Sequence, residues 1–181
     1  MLRPFDDALR EIPDAARPDQ IREDRMSETE AKSLFEVVVQ FFQDDDWPIE
    51  LIDGEQAVRS KFRSEAGEWT CYGRVRPEHH QFCFYSVCPM RVPEAQLTSV
   101  GEYLHRANYG MTIGNFELDF SDGEVRYKTS IDVEGDRLTQ ALVRQMVLAN
   151  VMLMDRYLPG LMAVMYGGVT PAAAIAEIEK H

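Results

Sequence analysis

The sequence predicts an α+β domain: an antiparallel five-stranded sheet packed with helices, in the order α-βββ-α-ββ-α. Three observations lead there. Apolar residues after Ser27 recur at helical spacing. Residues 55–88 hold three strand-like runs separated by turn-forming clusters. Residues 111–133 form a hairpin pattern about Asp122-Gly123.

Residues 1–26 carry Pro4, Pro13 and Pro18 among many charges and read as an N-terminal tail, leaving 27–181 as the domain. Ser27 with Glu30 fits a capping box, in which each side chain satisfies a free N–H at the helix start. Ala31, Leu34, Phe35, Val38, Phe41 and Phe42 then mark one apolar face, and Trp47-Pro48 ends the helix. Asp44, Asp45 and Asp46 read as a solvated loop, because no glycine or downstream Glu stands at calcium-loop spacing.

Three strands follow, at about 55–63, 67–75 and 80–88. In the first, Val58, Ser60 and Phe62 alternate with Arg59, Lys61 and Arg63, so one face is wet. The next two carry apolar bulk on both faces, because Tyr72, Cys83, Tyr85 and Val87 oppose Cys71, Phe82 and Phe84. A strand apolar on both sides needs cover on both sides. Those four residues are therefore a candidate dimer or partner surface.

Pro93 opens a second helix with Leu97, Val100, Leu104 and Ala107 inward, and Gly110 ends it. A two-residue turn at Asp122-Gly123 sets Asp119 opposite Arg126, Leu118 opposite Tyr127 and Glu117 opposite Lys128. That register puts apolar pairs on one face and ion pairs on the other, with Gly114 opposite Ile131 at a close approach or bend. A long helix from Leu138 to Tyr157 is interrupted at Pro159-Gly160 and resumes to a glycine stop, and Thr170-Pro171 caps a last helix. The long helix is apolar nearly all round in its second half. Its methionines, Met154, Met162 and Met165 among them, are candidates for an adaptable partner surface.

The net charge of −12 repels phosphate backbones and anionic membranes, so neither nucleic acid nor membrane is expected as a partner. The apolar run Met146–Met154 is too short to span a bilayer, and the N-terminus has no signal-peptide core, so the expectation is cytoplasmic. Three cysteines at uneven spacing, without histidines at ligand distance, predict neither metal nor disulfide. No nucleophile motif, phosphate loop or dinucleotide fingerprint is present. Glu117 and Asp119 share a strand face, but the expected basic partners make them structural. No catalytic residue, cofactor or metal site is predicted.

Several stretches resemble the YbjN family of bacterial proteins: "DDDWP" at 44–48, "GEWTCYGRV" at 67–75, "FCFYSVCPMRVP" at 82–93 and "YGGVTPAAAIAEIE" at 166–179. "YLHRANYGMTIGNFELDFSDGEVRYKTSIDVEG" at 103–135 is the most specific, and the resemblance covers about residues 28–180. It implies a type III secretion chaperone-like fold and a role described as sensory transduction regulation. Relatives by fold are homodimeric chaperones of secreted effectors, and the family supplies no catalytic residues. The expectation is a non-enzymatic, homodimeric, regulatory or chaperone-like protein-binding domain with an unidentified protein partner. The rival is a small-molecule sensor or enzyme with a pocket between sheet and long helix.

Overall fold

The computed structural model describes residues 33–180. In chain order the elements are α1 Leu34–Asp44, β1 Ile49–Leu51, β2 Ala57–Arg63, β3 Glu68–Arg76, β4 Gln81–Val87, α2 Leu97–Asn108, β5 Asn115–Leu118, β6 Val125–Asp132, α3 Gln140–Tyr166 and α4 Pro171–Ile178. The expected tail and the Ser27–Glu30 capping box lie outside the described residues. A reciprocal box does open α1, formed by Ser33 and Glu36.

The strands form one antiparallel sheet in the order β1-β2-β3-β4-β6-β5. It has six strands where five were expected. The added strand, β1, is three residues long at one edge, too short for any alternation to show in sequence. β4 leads through α2 to the far edge, and β6 returns to pair with β4.

Period-two alternation sorts the sheet into two faces. Trp69, Cys71, Phe82, Phe84, Val125 and Tyr127 point to one side and are almost wholly buried. α1 reaches this side through Phe42, whose ring lies 6.1 Å from that of Phe84. α3 lies over its centre. Asn150, fully buried, donates from Nδ2 to the carbonyls of Phe84 (3.0 Å) and Tyr127 (3.1 Å), tying α3 to both β4 and β6. Burial of each large core side chain favours folding by about 1.5–3 kcal/mol, so this face dominates the energetics.

α3 touches α1, α2, α4 and the sheet, which accounts for its apolar circumference. By length and composition it could cross a membrane, but half of that stretch is buried inside this domain. The helix is not interrupted at Pro159-Gly160; it runs unbroken for 27 residues. Packing overrides the local signal. The Tyr103 hydroxyl donates to the Tyr157 carbonyl at 2.7 Å, and a Cβ on Gly160 would stand 2.6 Å from that hydroxyl and 2.3 Å from Ile178 Cδ1. Glycine is what lets α2 and α4 close on this turn. The aspartates after α1 are also more engaged than a solvated loop. Asp44 accepts from Gln140 at 2.8 Å and Asp45 pairs with Arg144 at 2.6 Å, anchoring the end of α1 to α3.

The β5–β6 hairpin keeps its expected faces but not its register. Glu117 lies opposite Arg126, Leu118 opposite Val125 and Phe116 opposite Tyr127. This differs by two residues from a two-residue turn, and an even slip leaves every side chain on its own face. The connection is a four-residue loop, 120–123, closed by Asp119 N–H to the Glu124 carbonyl and Gly123 N–H to the Asp119 carbonyl, both 2.8 Å. Asp119 Oδ1 accepts from Ser121 N–H, and Val92 N–H donates to the Gly123 carbonyl at 2.9 Å. These local and tertiary bonds select the longer loop. Gly114 does meet backbone closely, but at Lys128 rather than Ile131: with φ +78, its Cβ would lie 2.4 Å from the Lys128 carbonyl oxygen.

Candidate protein-binding surface

Among the described residues, α1, α2 and α3 pack on one face of the sheet, α4 packs on α2 and α3, and no helix covers the other face. Outward positions of the six strands build that second face. At its centre Tyr72 on β3 stands directly opposite Tyr85 on β4. Arg59 flanks Tyr72 from β2, and Lys128 flanks Tyr85 from β6. One cross-strand row therefore reads cation, aromatic, aromatic, cation. Neighbouring rows set Arg74 beside Cys83, and Val87 beside Arg126. The Arg126 guanidinium lies 4.8 Å from the Tyr85 ring centre, a cation–π contact.

Tyr72, Cys83, Tyr85 and Val87 are all half-buried and contiguous, so the structure brings together the four sheet residues singled out from sequence. The methionines fare differently. Met154 and Met165 are buried at 0% and 4% exposure, and only Met162 of the three is half-buried. Met154 and Met165 are corrected from surface to core, because α3 is enclosed by helices as well as by the sheet. The exposed apolar residues of α3 are Leu148, Met152 and Tyr166. Met152 is one of the methionines offered from sequence, whereas Leu148 and Tyr166 were not singled out, although Leu148 and Met152 stand at the four-residue spacing of one helix face.

The charge on the outer sheet face differs from that of the chain. Arg59, Lys61 and Arg63 project from β2, Arg74 and Arg76 from β3, and Arg126 and Lys128 from β6. These seven are more than a third of the chain's 19 Lys and Arg. Only Glu50, Glu68, Glu117 and Asp132 project as acids from strand positions on this side. Glu117 holds Arg126 at 2.7 Å and Glu68 holds Arg63 at 2.5 Å, and rim carboxylates add longer contacts: Glu55 to Arg74 at 4.0 Å, Glu78 to Arg76 at 3.9 Å, and Glu124 to Arg126 at 3.9 Å. Around the apolar patch the seven cations thus meet seven carboxylates, so this face is balanced on a chain of −12.

Glu117 is the best-held carboxylate on this face. Burial opposes its ionisation, but hydrogen bonds from Lys128 and Arg126 outweigh that and hold its pKa below the usual range. Burial pushes the Tyr85 hydroxyl above its ordinary value. It pushes the Cys71 thiol up to about 11 and raises Cys83 and Cys88 as well, so the thiols stay protonated at neutral pH, away from nucleophilic chemistry. Cys71 faces the helices and Cys83 the opposite side, so the sheet itself separates them. Among the described residues, no group of three or more His, Cys, Asp or Glu is arranged to hold a metal ion.

The family model for YbjN, described as "Putative bacterial sensory transduction regulator", matches residues 35–162. The chain belongs to the YbjN family. The match spans α1 through most of α3, and so includes the whole sheet. The crystal structure of YbjN from E. coli, described as a putative transcription regulator, is similar with a TM-score of 0.54 at 12% identity, covering 74% of this chain and 89% of that one. That likeness supports the YbjN fold and nothing finer. Two further structures are similar at TM-scores of 0.43 and 0.41: the ExsC-ExsE complex (15% identity, 68% of this chain, 92% of that one) and the HopA1-SchA chaperone-effector complex (14% identity, 68% and 92%). No curated protein matches the sequence.

Proposed function

We propose that this YbjN-family chain is a non-enzymatic, cytoplasmic regulatory domain that works by binding protein, with the outer sheet face as its binding surface. The observation that carries the reading is the half-buried cluster Tyr72, Cys83, Tyr85 and Val87 on a face that no described helix covers. Contiguous apolar surface of this kind on a water-facing sheet marks an interaction site. Tyrosine suits it, having a large apolar body and a polar tip. The acidity of the chain as a whole disfavours nucleic acid.

The domain acts as a homodimer in this reading, with the exposed α3 residues Leu148, Met152 and Tyr166 as the contact between copies. That arrangement leaves the sheet face free for the partner. The test of the binding reading is affinity capture from the native cell, comparing the unmodified chain with Tyr85→Glu. A protein retained by the first and lost by the second, with an unchanged melting curve, supports the reading. Equal capture by both overturns it.

A further inference from the structure

α4 is the helix held least firmly in the domain. It has eight residues, of which only Ala174 is buried, while Ile175 and Ile178 are half-buried. By contrast, α1 buries Val38, Phe41 and Phe42, and α2 buries Val100, Tyr103, Leu104 and Ala107. A helix as short as α4 is marginal in water without packing. It packs on α2 and α3. α3 joins it through the exposed residues Gly167, Gly168 and Val169, and Gly168 takes φ +66 with nothing within 4 Å of where a Cβ would stand. The seat under α4 does not depend on α4. The Tyr103 hydroxyl ties α2 to the Tyr157 carbonyl on α3 at 2.7 Å, and the missing side chain of Gly160 leaves a notch beside that bond. Ile178 Cδ1 fills the notch. Arg156 Nη2 donates to the Ile178 carbonyl at 3.1 Å, and the Tyr157 hydroxyl donates to Glu179 Oε1 at 3.2 Å.

We propose that α4 is a displaceable latch on a helix-binding groove between α2 and α3, and that the groove takes a partner's amphipathic helix of the same chemistry as α4. This is a second protein-binding site, on the helix side of the sheet, and it goes beyond the outer face. The occupant follows from what α4 itself presents. Ala174, Ile175 and Ile178 stand at i, i+1 and i+4 on one helix face, and Glu179 follows at i+5. The small residue lets the incoming helix approach closely. The branched side chain in the place of Ile178 enters the Gly160 notch, and the carboxylate after it accepts from the Tyr157 hydroxyl. Arg156 meets a carbonyl of the last turn, where the negative end of a helix dipole favours a cation. Because α4 fills the groove while it is docked, a partner's apparent affinity scales with the fraction of molecules in which α4 is undocked. Weakening the latch therefore strengthens partner binding, the opposite of what loss of a contact residue does.

The probe is a fluorescein-labelled peptide of residues 169–180, VTPAAAIAEIEK, added to the full-length chain and to its Ile178→Ala variant. Ile178 belongs to the latch and not to the groove, so the substitution opens the site without altering it. Fluorescence anisotropy should show binding about tenfold tighter to Ile178→Ala than to the unmodified chain. A peptide with glutamate in place of Ile178 should bind neither. NMR shifts should centre on Tyr103, Tyr157 and Gly160. Hydrogen exchange of the unmodified chain gives a second reading that needs no variant. The α4 amides should exchange about a hundredfold faster than those of Val147, Asn150 and Val151 in α3, through an opening that low urea does not accelerate. Equal or weaker peptide binding by Ile178→Ala overturns the inference, as does α4 exchange that occurs only with global unfolding. If Ile178→Ala fails to fold, α4 is part of the core and the inference falls. Peptide binding that splits a dimer into monomers assigns the groove to exchange of α4 between copies, and shifts confined to the outer sheet face assign the peptide to that face; either overturns it. None of these outcomes bears on Tyr85-dependent capture, so the outer-face reading stands or falls separately.

Discussion

Glu117 sits directly across the hairpin from Arg126, yet its carboxylate bonds both Arg126 and Lys128, two positions apart on β6. One oxygen serves each cation. The side chains of all three are about three-quarters buried. This places the triad between an exposed ion pair, which contributes little, and a desolvated one, which is costly to break.

The triad makes stability depend on acid. The folded pKa of Glu117 lies below that of the unfolded chain, whose ordinary value is 4.5. Between the two, the unfolded state binds more protons, so stability rises with pH there. The contribution is fully present above the unfolded value and is lost as pH falls through the folded one. Glu117→Gln should therefore lower stability at pH 7 by about 1–3 kcal/mol and flatten the loss on acidification. Denaturant melts at pH 7, 5, 4 and 3 check this; parallel pH profiles for both proteins count against it.

Gly160→Val should destabilise by about 1–3 kcal/mol through overpacking against Tyr103 and Ile178. Tyr103→Phe keeps the ring and removes only the bond to the Tyr157 carbonyl. It should cost about 1 kcal/mol. If the valine were neutral, the close approach at this turn would not constrain the helix. Thermal melts of both variants decide it.

Gly114→Ala should be among the most damaging single-methyl additions, at about 2 kcal/mol or more. Its φ of +78 disfavours any side chain, and the Lys128 carbonyl oxygen is 2.4 Å from where a Cβ would sit. Gly135→Ala is the control, since it also has positive φ but nothing within 4 Å. A difference between the two in urea midpoint isolates the steric part from the backbone part.

Met152→Lys should leave folding within about 0.5 kcal/mol of the unmodified chain, because Met152 is 66% exposed. On the dimer proposed above, it should convert the protein to monomer in sedimentation velocity at micromolar concentration. A monomer for the unmodified chain, or a dimer for the variant, counts against the α3 contact.

The parts of the fold that rest on repeating chemistry were legible in sequence. β2, β3 and β4 fall within two residues of expectation because each alternates over several residues, and their half-buried outer residues follow from the same alternation. Thr170 caps α4 as expected, its Oγ accepting from Ala173 N–H at 3.3 Å. The misses share a cause. Asp122-Gly123 favours a tight turn locally, but bonds from Asp119 and Val92 select a longer one. Pro159-Gly160 favours a break locally, but Tyr103 and Ile178 pack where the break was expected. β1 pairs with β2 over three residues that have no pattern of their own. For the candidate site, alternation located the aromatic centre. The row of cations around it depends on strand order, which no single segment contains. Met154 and Met165 were misplaced because apolarity on all sides of a helix does not say which side is covered.

The side chain of Asn108 has a consequence beyond ending α2. Its Nδ2 donates to the Phe116 carbonyl at 3.0 Å, and its Oδ1 accepts from the Phe116 N–H at 2.7 Å. One amide group thus fills both main-chain bonding positions of a residue on the terminal strand β5, as a neighbouring strand would. A sheet edge with free main-chain groups invites a second molecule to add its own strand and so begin fibrous growth. Here that place is already occupied by the chain itself. The asparagine caps this edge of the sheet, and Asn108→Ala would leave the Phe116 main-chain groups open to a strand from another molecule.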